Sequence, residues 1–241
     1  MRYAFLADIH GNLTAFKAVL RDIEENGGVD ELWCLGDIVG YGPDPSACIA
    51  QLRDYPHRCV AGNHDWATVG KVDISDFNPD AAEACHWTGK QLSADDIKYL
   101  ESLPLTLTNG DFTIAHGSPR EPIWEYILTT RIANENLRFF ETRYCLIGHS
   151  HVPLLFEQDG ETCLLKDLPA ELKLGKSRLI INPGGVGQPR DGDPRAAYAV
   201  YDESDRVIYY YRIPYDIADT QERMEKSGLP TFLVNRLSRG W

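Results

Sequence analysis

The sequence YAFLADIHGN, residues 3–12, contains the first predicted strand of this chain and the polar residues that follow it. The apolar run 3–7 has the length and composition of a short buried strand. Asn12 is a suitable helix cap, and apolar side chains then recur at helical spacing until the glycines at 27–28. A strand followed at once by a helix is the repeating unit of α/β folds.

Two similar units come next and extend this interpretation. Residues 32–35 and 59–61 predict the second and third strands, and Asp44 before Pro45 predicts the start of the helix between them. This order favours an α/β fold with a parallel sheet and helices on its faces. The other predicted elements are helices at residues 79–87, 95–103, 132–140, 216–226 and 232–237, and strands at residues 112–115, 144–147 and through 154–213.

The length and composition are those of one large domain. The chain has 241 residues, of which 43% are hydrophobic and 25% are charged. We expect a single domain over residues 1–241, with a C-terminal helical extension at about 214–241. The net charge of -12 disfavours an extended nucleic-acid surface, because phosphate backbones attract basic faces. A small phosphorylated substrate and a homo-oligomer both remain compatible with it.

The cysteines and the N-terminus indicate the compartment. The six cysteines are scattered and form no Cys-x-x-Cys pair, so we interpret them as buried free thiols of a reducing environment. Asp8 comes too early for a signal peptide, and no apolar run approaches the ~20 residues of a membrane span. We therefore predict a cytoplasmic protein with no membrane contact.

Polar residues of a few kinds follow the carboxyl ends of five predicted strands. Because ligands of open α/β sheets bind at these ends, we expect the side chains to meet in one pocket. Asp8-x-His10 and His149-x-His151 each place two of them two residues apart, and such residues point the same way on an extended segment. The residues after the strands are Asp8, His10, Asp37, Asn63, His64, His116, His149 and His151.

Most of these residues are suitable metal ligands. The set combines carboxylate, amide oxygen and imidazole without thiolate, which favours Mn, Fe, Zn or Mg over Cu(I) or an iron–sulfur cluster. Seven ligands are too many for one ion and suit two ions that share a carboxylate and leave positions for water. The candidate metal ligands are Asp8, His10, Asp37, Asn63, His116, His149 and His151.

The ordered motifs Asp-x-His, Gly-Asp-x-x-Gly, Gly-Asn-His-Asp, His and Gly-His-x-His resemble those of the calcineurin-like metallophosphoesterases. The resemblance implies an α/β fold that is a four-layer α/β/β/α sandwich, in which two mixed sheets are flanked by helices. It also implies two divalent metal ions, with Mn favoured and Fe, Zn, Ni and Mg as alternatives. One ion would be held by Asp8, His10 and His151, the other by Asn63, His116 and His149, and Asp37 would bridge the two.

The resemblance also implies a reaction, the hydrolysis of a phosphoester. A water that bridges the two ions would lose a proton at neutral pH and attack phosphorus in line. His64 would face the substrate without binding metal, and it is the candidate catalytic residue. A phosphodiester or nucleotide-type substrate is favoured. The alternatives are a phosphomonoesterase or protein phosphatase, and a non-catalytic scaffold on the same fold.

Within the family, the chain resembles the small bacterial and archaeal branch. Residues 36–42 read Gly-Asp-Ile-Val-Gly-Tyr-Gly, so the Asp-Arg-Gly continuation of the Ser/Thr protein phosphatases is absent. Residues 182–190 match the Asn-Pro-Gly-x-Val-Gly-Gln-Pro-Arg stretch of the small branch, with Gly185 where serine is expected. Protein phosphatase activity is therefore disfavoured.

Three residues outside the metal set are candidates for substrate binding. Arg190 ends a glycine-rich loop and could hold a phosphoryl group with a bidentate contact, although a loop arginine is often simply solvated. Tyr41 could line the pocket. Arg120 lies in the proline-punctuated segment 118–126, which either determines the substrate or covers the edge of the sheet.

Overall fold

Two six-stranded sheets pack face to face in the computed structural model, which describes residues 1–75 and 77–241. The strands, in chain order, are β1 (Arg2–Leu6), β2 (Glu31–Cys34), β3 (His57–Cys59), β4 (Thr106–Asn109), β5 (Phe112–Ala115), β6 (Tyr144–Leu146), β7 (Leu154–Asp159), β8 (Thr162–Lys166), β9 (Glu171–Lys173), β10 (Leu179–Asn182), β11 (Ala196–Asp202) and β12 (Val207–Ile213). The helices are α1 (Leu13–Glu25), α2 (Pro45–Arg53), α3 (Asn63–Thr68), α4 (Pro79–Gln91), α5 (Ala94–Ser102), α6 (Thr130–Asn136), α7 (Ile217–Lys226) and α8 (Thr231–Arg236), with short 3₁₀ turns at Leu137–Phe139 and Leu237–Arg239.

The first sheet has the strand order β3-β2-β1-β11-β12-β9. Strands β1, β2 and β3 run parallel, and β11 pairs antiparallel with β1. Helices α1 and α2 cover its outer face, where Phe16 and Ile49 belong to one buried cluster with Leu6 and Leu32. The three parallel strands therefore end at the same edge of the sheet.

The second sheet has the strand order β4-β5-β6-β10-β7-β8. Strand β6 lies between β5 and β10 and runs parallel to both. Helix α6 covers the outer face, where Ala133 is buried in one cluster with Phe156 and Ile180. The parallel strands of this sheet also share an edge at their carboxyl ends.

Aromatic side chains fill the space between the sheets. Phe5 and Trp33 of the first sheet meet Phe112 of the second, with ring centroids 5.7 and 5.6 Å from Phe112 respectively. Along β1, Phe5 faces this space while Ala4 and Leu6 face the helices, as the two-residue period of a strand requires. The predicted α/β fold, a four-layer sandwich of two mixed sheets flanked by helices, is confirmed.

The C-terminal helices pack beside the polar loops at the edge of the first sheet. Met224 of α7 and Leu233 of α8 are buried in one cluster with Ala84 of α4 and with Tyr41. The Thr220 hydroxyl donates a hydrogen bond to Asn12 at the start of α1. Residues 214–241 thus support the motif loops from outside.

Some local predictions differ from the structure. Strand β3 ends at Cys59, earlier than the predicted 61, and residues 63–68 form a helix that we did not predict. This helix is too short for a hydrophobic period to reveal it. Strand β4, with the sequence TLTN, was not predicted because it is half polar and only partly buried.

Two sequence predictions concern features of the whole chain. All six cysteines are buried and free, as predicted. Within residues 1–75 and 77–241, no helix combines the length and the apolar character that crossing a bilayer requires.

Candidate metal centre

The five predicted strand ends converge where the two sheets meet. Strands β1, β2 and β3 of the first sheet and β5 and β6 of the second run directly into the polar motifs. Every motif side chain is at least 96% buried. The ligand atoms of the carboxylate and histidine side chains form three overlapping groups, with the atoms of each group within 4.8 Å of one another: Asp8, His10 and His151; His10, Asp37 and His64; and Asp37, His116 and His149.

The backbone reaches this arrangement in a way that the sequence analysis missed. Asp8 and His10 have φ angles of 56° and 49°, and His149 and His151 have φ angles of 64° and 59°. Our expectation of extended segments was therefore wrong, since these residues are left-handed. Asp37 is also left-handed, with φ of 56°. Such conformations are unfavourable for side chains with a Cβ and concentrate at functional sites.

The rings of His10 and His151 face each other through ring nitrogens that carry no proton. His10 Nδ1 lies 3.1 Å from the carbonyl oxygen of Val39, and His151 Nδ1 lies 2.5 Å from that of Gln188. Because a carbonyl only accepts, each Nδ1 must carry the ring proton. The two Nε2 atoms then present lone pairs to each other at 3.1 Å. A cation bound by both nitrogens removes this repulsion.

His116 and His149 form a second pair of the same kind. His116 Nδ1 donates to the carbonyl oxygen of Leu35 at 2.8 Å, and His149 Nε2 donates to that of Trp124 at 3.2 Å. In the neutral rings, His116 Nε2 and His149 Nδ1 therefore face each other as lone pairs at 3.2 Å. Asn63 Oδ1, another acceptor, lies 3.0 Å from His116 Nε2. Three acceptors that converge on one point fit a metal ion.

The two carboxylates complete the donor set. Among the described residues, Asp8 Oδ2 and Asp37 Oδ2 are buried without a hydrogen-bond partner. Asp37 Oδ2 lies 3.6 Å from His10 Nε2 and 3.3 Å from His116 Nε2, so it is next to both imidazole pairs. Asp8 Oδ1 lies 3.5 Å from His151 Nε2 and therefore adjoins only the first pair. This geometry fits a pair of cations with Asp37 between them.

The electrostatics of the unliganded side chains point the same way. Burial raises the pKa of Asp8 to about 7. Burial disfavours the charged form of His116, but the Asp37 carboxylate outweighs it and raises the pKa of His116 to about 9. A proton thus takes the place between Asp37 and His116 when no metal ion is there. Both shifts show that the cluster favours positive charge at its centre.

Asp65 braces the loops that carry the ligands, and the sequence analysis assigned it no role. Its carboxylate accepts hydrogen bonds from the backbone N–H groups of Asp37, Val39 and Gly62. A side chain at Gly62 could not be accommodated, because its Cβ would lie 2.0 Å from Asp37 Oδ1. Asp65 lies on helix α3, and its carboxylate is engaged with these backbone groups.

His64 lies at the edge of the metal cluster, and its ring has its own support. Burial lowers the pKa of His64 to about 4. Its Nδ1 contacts the Cys85 sulfur of α4 at 3.2 Å. Burial raises the pKa of Cys85 to about 12, so this group is a neutral thiol. A side chain at residue 40 would clash there, because its Cβ would lie 2.7 Å from His64 Nδ1.

The structure brings two of the three predicted substrate-binding residues to the cluster. The Arg190 guanidinium lies 3.4 Å from the Tyr41 hydroxyl and is held by the Gln188 side chain at 2.8 Å. The Tyr41 ring stands 4.6 Å from the His10 ring and 4.3 Å from the His64 ring. Arg190 and Tyr41 thus flank the candidate metal ligands.

Arg120 is placed differently. Its guanidinium is paired with the carboxylates of Glu125 and Glu135 and therefore braces the base of its own loop. The same loop does reach the cluster through other residues. The Trp124 carbonyl accepts from His149, and the Tyr126 ring stacks on the His149 ring at 3.8 Å. A direct role for Arg120 with substrate remains a prediction.

The fold and this cluster define a metallophosphoesterase, and the chain belongs to the calcineurin-like phosphoesterase superfamily. The domain model of that superfamily matches residues 1–206. These residues include every motif side chain and end before helices α7 and α8. The family resemblance seen in the motifs is therefore confirmed.

Three relatives place the chain within this superfamily. A metallophosphoesterase of known structure from Sphaerobacter thermophilus is 47% identical, with a TM-score of 0.90 over 100% of this chain and 99% of that one. An uncharacterized protein of Methanocaldococcus jannaschii is 39% identical over 98% of this chain and 97% of its own length. A symmetrical bis(5'-nucleosyl)-tetraphosphatase of Haemophilus ducreyi is 38% identical, but only over 36% of this chain and 37% of its own length.

Proposed function

We propose that this protein is a phosphoester hydrolase that uses two divalent metal ions, with Mn favoured and Fe, Zn, Ni or Mg as alternatives. The observation that carries the proposal is the pair of facing imidazole couples. In each couple the outer ring nitrogens donate to backbone carbonyls, so both inner nitrogens are free to bind a cation. Backbone carbonyls commonly fix metal-binding histidines in this way.

The donor geometry supports a division into two ion sites. One site would be formed by Asp8, His10 and His151 and the other by Asn63, His116 and His149. Asp37 would belong to both, because its free oxygen adjoins an imidazole of each. Two divalent ions bound there would supply Lewis acidity, which activates water at neutral pH and neutralises charge on the phosphoryl group.

The chain's own residues would orient the substrate and handle the proton. Arg190 faces the cluster from the loop after β10, where it could hold a phosphoryl oxygen by a charge-assisted hydrogen bond. His64 lies beside the cluster with its Nδ1 occupied by Cys85. Its Nε2 is then the atom that would protonate the leaving oxygen or bind a phosphoryl oxygen. Burial of the whole cluster excludes bulk water from the reacting groups.

A phosphodiester or a nucleotide-type substrate is the favoured class. The partial similarity to bis(5'-nucleosyl)-tetraphosphatases supports it, since those enzymes are named for a nucleotide substrate. The charge balance also supports a small substrate, because the chain is acidic outside the pocket. We also propose a cytoplasmic location, because the six buried free cysteines are typical of a reducing compartment.

The test is a panel of phosphomonoesters, phosphodiesters, nucleotides and phosphopeptides, assayed with metal-free protein to which single divalent metals are added back. We expect hydrolysis only after metal addition, with Mn²⁺ most effective, and with two ions bound per chain by elemental analysis. Full activity after exhaustive chelation, or saturation at one ion per chain, would contradict the proposal.

A further inference from the structure

A cavity of about 320 Å³ adjoins the metal cluster, and the proposed hydrolysis does not account for the aromatic part of its wall. It opens between His64 and His149 on the metal side and the rings of Phe77, Trp124 and Tyr126 on the other. Trp124 and Tyr126 are 37% and 42% exposed, so part of each ring is open to solvent. Exposed aromatic groups beside a reaction centre indicate a binding surface.

The rings are arranged as a corner. Phe77 and Trp124 meet edge to face, with centroids 5.4 Å apart and planes at 84°. Tyr126 is fixed by stacking on His149, so its ring forms a rigid part of the wall. A flat ring that enters the corner can stack on one aromatic face while its edge meets the other.

The walls of the cavity suit a different part of the substrate from its phosphoryl group. Among the described residues that line the cavity there is no lysine, arginine, aspartate or glutamate. The other wall groups are the amides of Asn63 and Asn78, the Ala81 methyl group and the Tyr41 ring. The cavity therefore suits an uncharged planar group with a polar edge, whereas Arg190 and the metal ligands face the phosphoryl group.

We propose that this cavity, which we call the aromatic corner, binds one nucleobase of a nucleoside phosphoester. The inference rests on the proposed function and specifies its substrate class. The cavity volume lies near the lower end of the ~300–1,000 Å³ range of small-molecule sites, which suits one base with its sugar. Stacking of a base on exposed aromatic rings tolerates every base, so the identity of the base is not selected strongly.

The test compares ligands that differ only in the base. The phosphonate analogue of AMP, in which a methylene group replaces the ester oxygen, cannot be hydrolysed, and the matching analogue of ribose 5-phosphate lacks the base. Calorimetric titration of the Mn²⁺-loaded protein should show about tenfold or more tighter binding of the AMP analogue. Equal affinities for the two analogues would overturn the proposal.

Variants locate the effect within the cavity. Trp124→Ala should reduce the preference for the base to within about twofold of unity, and Trp124→Tyr should retain most of it because a stacking face remains. Phe77→Leu keeps an apolar side chain of similar volume but removes the planar face. It should also lower the preference for the analogue that carries the base. Phe139→Ala is the matched control, because Phe139 is similarly exposed (44%) and lies on the 3₁₀ turn after α6, whose residue Leu137 packs on the outer face of the second sheet. An equal loss of affinity for both analogues in Trp124→Ala would overturn the assignment.

The binding measurement separates this inference from the proposed function. If no ester is hydrolysed with any metal, the proposed function fails, while the ratio of the two affinities still decides whether a base is bound. If esters with and without a base are hydrolysed with the same kcat/KM and the analogues bind equally, the function stands and the aromatic corner is rejected.

Discussion

The two sheets contribute different chemistry to the candidate metal centre. The strand ends of the first sheet supply every oxygen ligand and a single imidazole, whereas those of the second sheet supply imidazoles alone. From the first sheet come Asp8, His10, Asp37 and Asn63, and from the second come His116, His149 and His151. All of the negative charge in the cluster therefore comes from one side of the sandwich.

The two sheets should therefore have different roles. The first sheet attracts the ions, and the second fixes where they bind. The carboxylates of Asp8 and Asp37 attract divalent cations of any kind, because the interaction between charges is strong in a buried site. Neutral imidazoles add no charge, but their carbonyl partners fix the direction of each lone pair. Loss of Asp37, on the first sheet, should therefore affect both ions, whereas loss of an imidazole of the second sheet should affect only the nearer ion.

The largest expected effect is that of Asp37→Asn, which tests this division directly. It removes the charge that adjoins both imidazole pairs, so both ions should be lost and hydrolysis should become undetectable. His151→Gln should release one ion and leave the other bound. Elemental analysis at fixed free metal measures both, and Asp95→Asn, an exposed carboxylate on α5, is the control. Loss of the same single ion in both variants would contradict the different roles of the two sheets.

A large effect on rate without loss of metal is expected for His64→Ala. The variant should lower kcat by roughly 10²–10⁴, the usual range for general acid catalysis, while two ions remain bound. Esters with a nitrophenolate leaving group should lose less, because that group needs no proton. A loss of equal size for good and poor leaving groups would assign His64 to phosphate positioning instead.

Asp65→Asn should weaken metal binding without removing a ligand. Asp65 holds three backbone N–H groups of the loops that carry Asp37 and Asn63, and partners of this kind typically contribute 10–100-fold to metal affinity. Titration with Mn²⁺ and a competing chelator measures the change. An unchanged affinity would show that the loops keep their conformation without this carboxylate.

Arg190→Ala tests a contribution of the second sheet to the substrate rather than to the metals. It should lower kcat/KM by about tenfold or more, as expected for one charge-assisted hydrogen bond, with metal content unchanged. Arg190→Lys should recover only part of the activity, because lysine lacks the bidentate fork. Arg195→Ala, an exposed arginine paired with Asp193, is the control. Wild-type kinetics of Arg190→Ala on every substrate would assign the loop a structural role.

The smallest effect is expected for Cys85→Ala. It removes the group that contacts His64 Nδ1, and one neutral hydrogen bond is equivalent to about a two- to tenfold change in kcat. Cys85→Ser should retain most of the rate, since a hydroxyl can make the same bond. Cys163→Ala, which removes a buried thiol on the outer face of the second sheet, serves as the control. A drop in KM alone, or an equal loss in the serine variant, would show that Cys85 only fills space.

The sequence was sufficient to predict which side chains converge. Short apolar runs followed by Asp8, Asp37 or His116 mark the carboxyl ends of parallel strands, and such ends share an edge of a sheet. The topology therefore brings the residues together whatever the detail of the loops. Arg190 was found for the same reason, because its loop follows β10, a parallel neighbour of β6.

The sequence could not reveal how the backbone presents these side chains. We assumed extended segments for Asp8-x-His10, whereas both residues are left-handed, and the enrichment of Asp and His in that region is too small to predict it at a given position. The role of Asp65 was hidden because two of the N–H groups that it holds, those of Asp37 and Val39, are 28 and 26 residues away in sequence. Phe77 precedes α4 and matches no motif, so its place beside Trp124 depends on tertiary packing alone.

The left-handed residues have a consequence for protein engineering. A designer who transferred the seven ligands to regular strand ends of another scaffold would lose the directions in which their side chains point. The transferable unit is the set of loops with their backbone hydrogen bonds, such as those from Asp8 to Gly36 and from His10 to Asp37. Conversely, glycine at a left-handed ligand position should raise the thermal stability of the metal-free protein while impairing the binding of the ion that this residue holds. Stability selection alone would therefore tend to erase this centre.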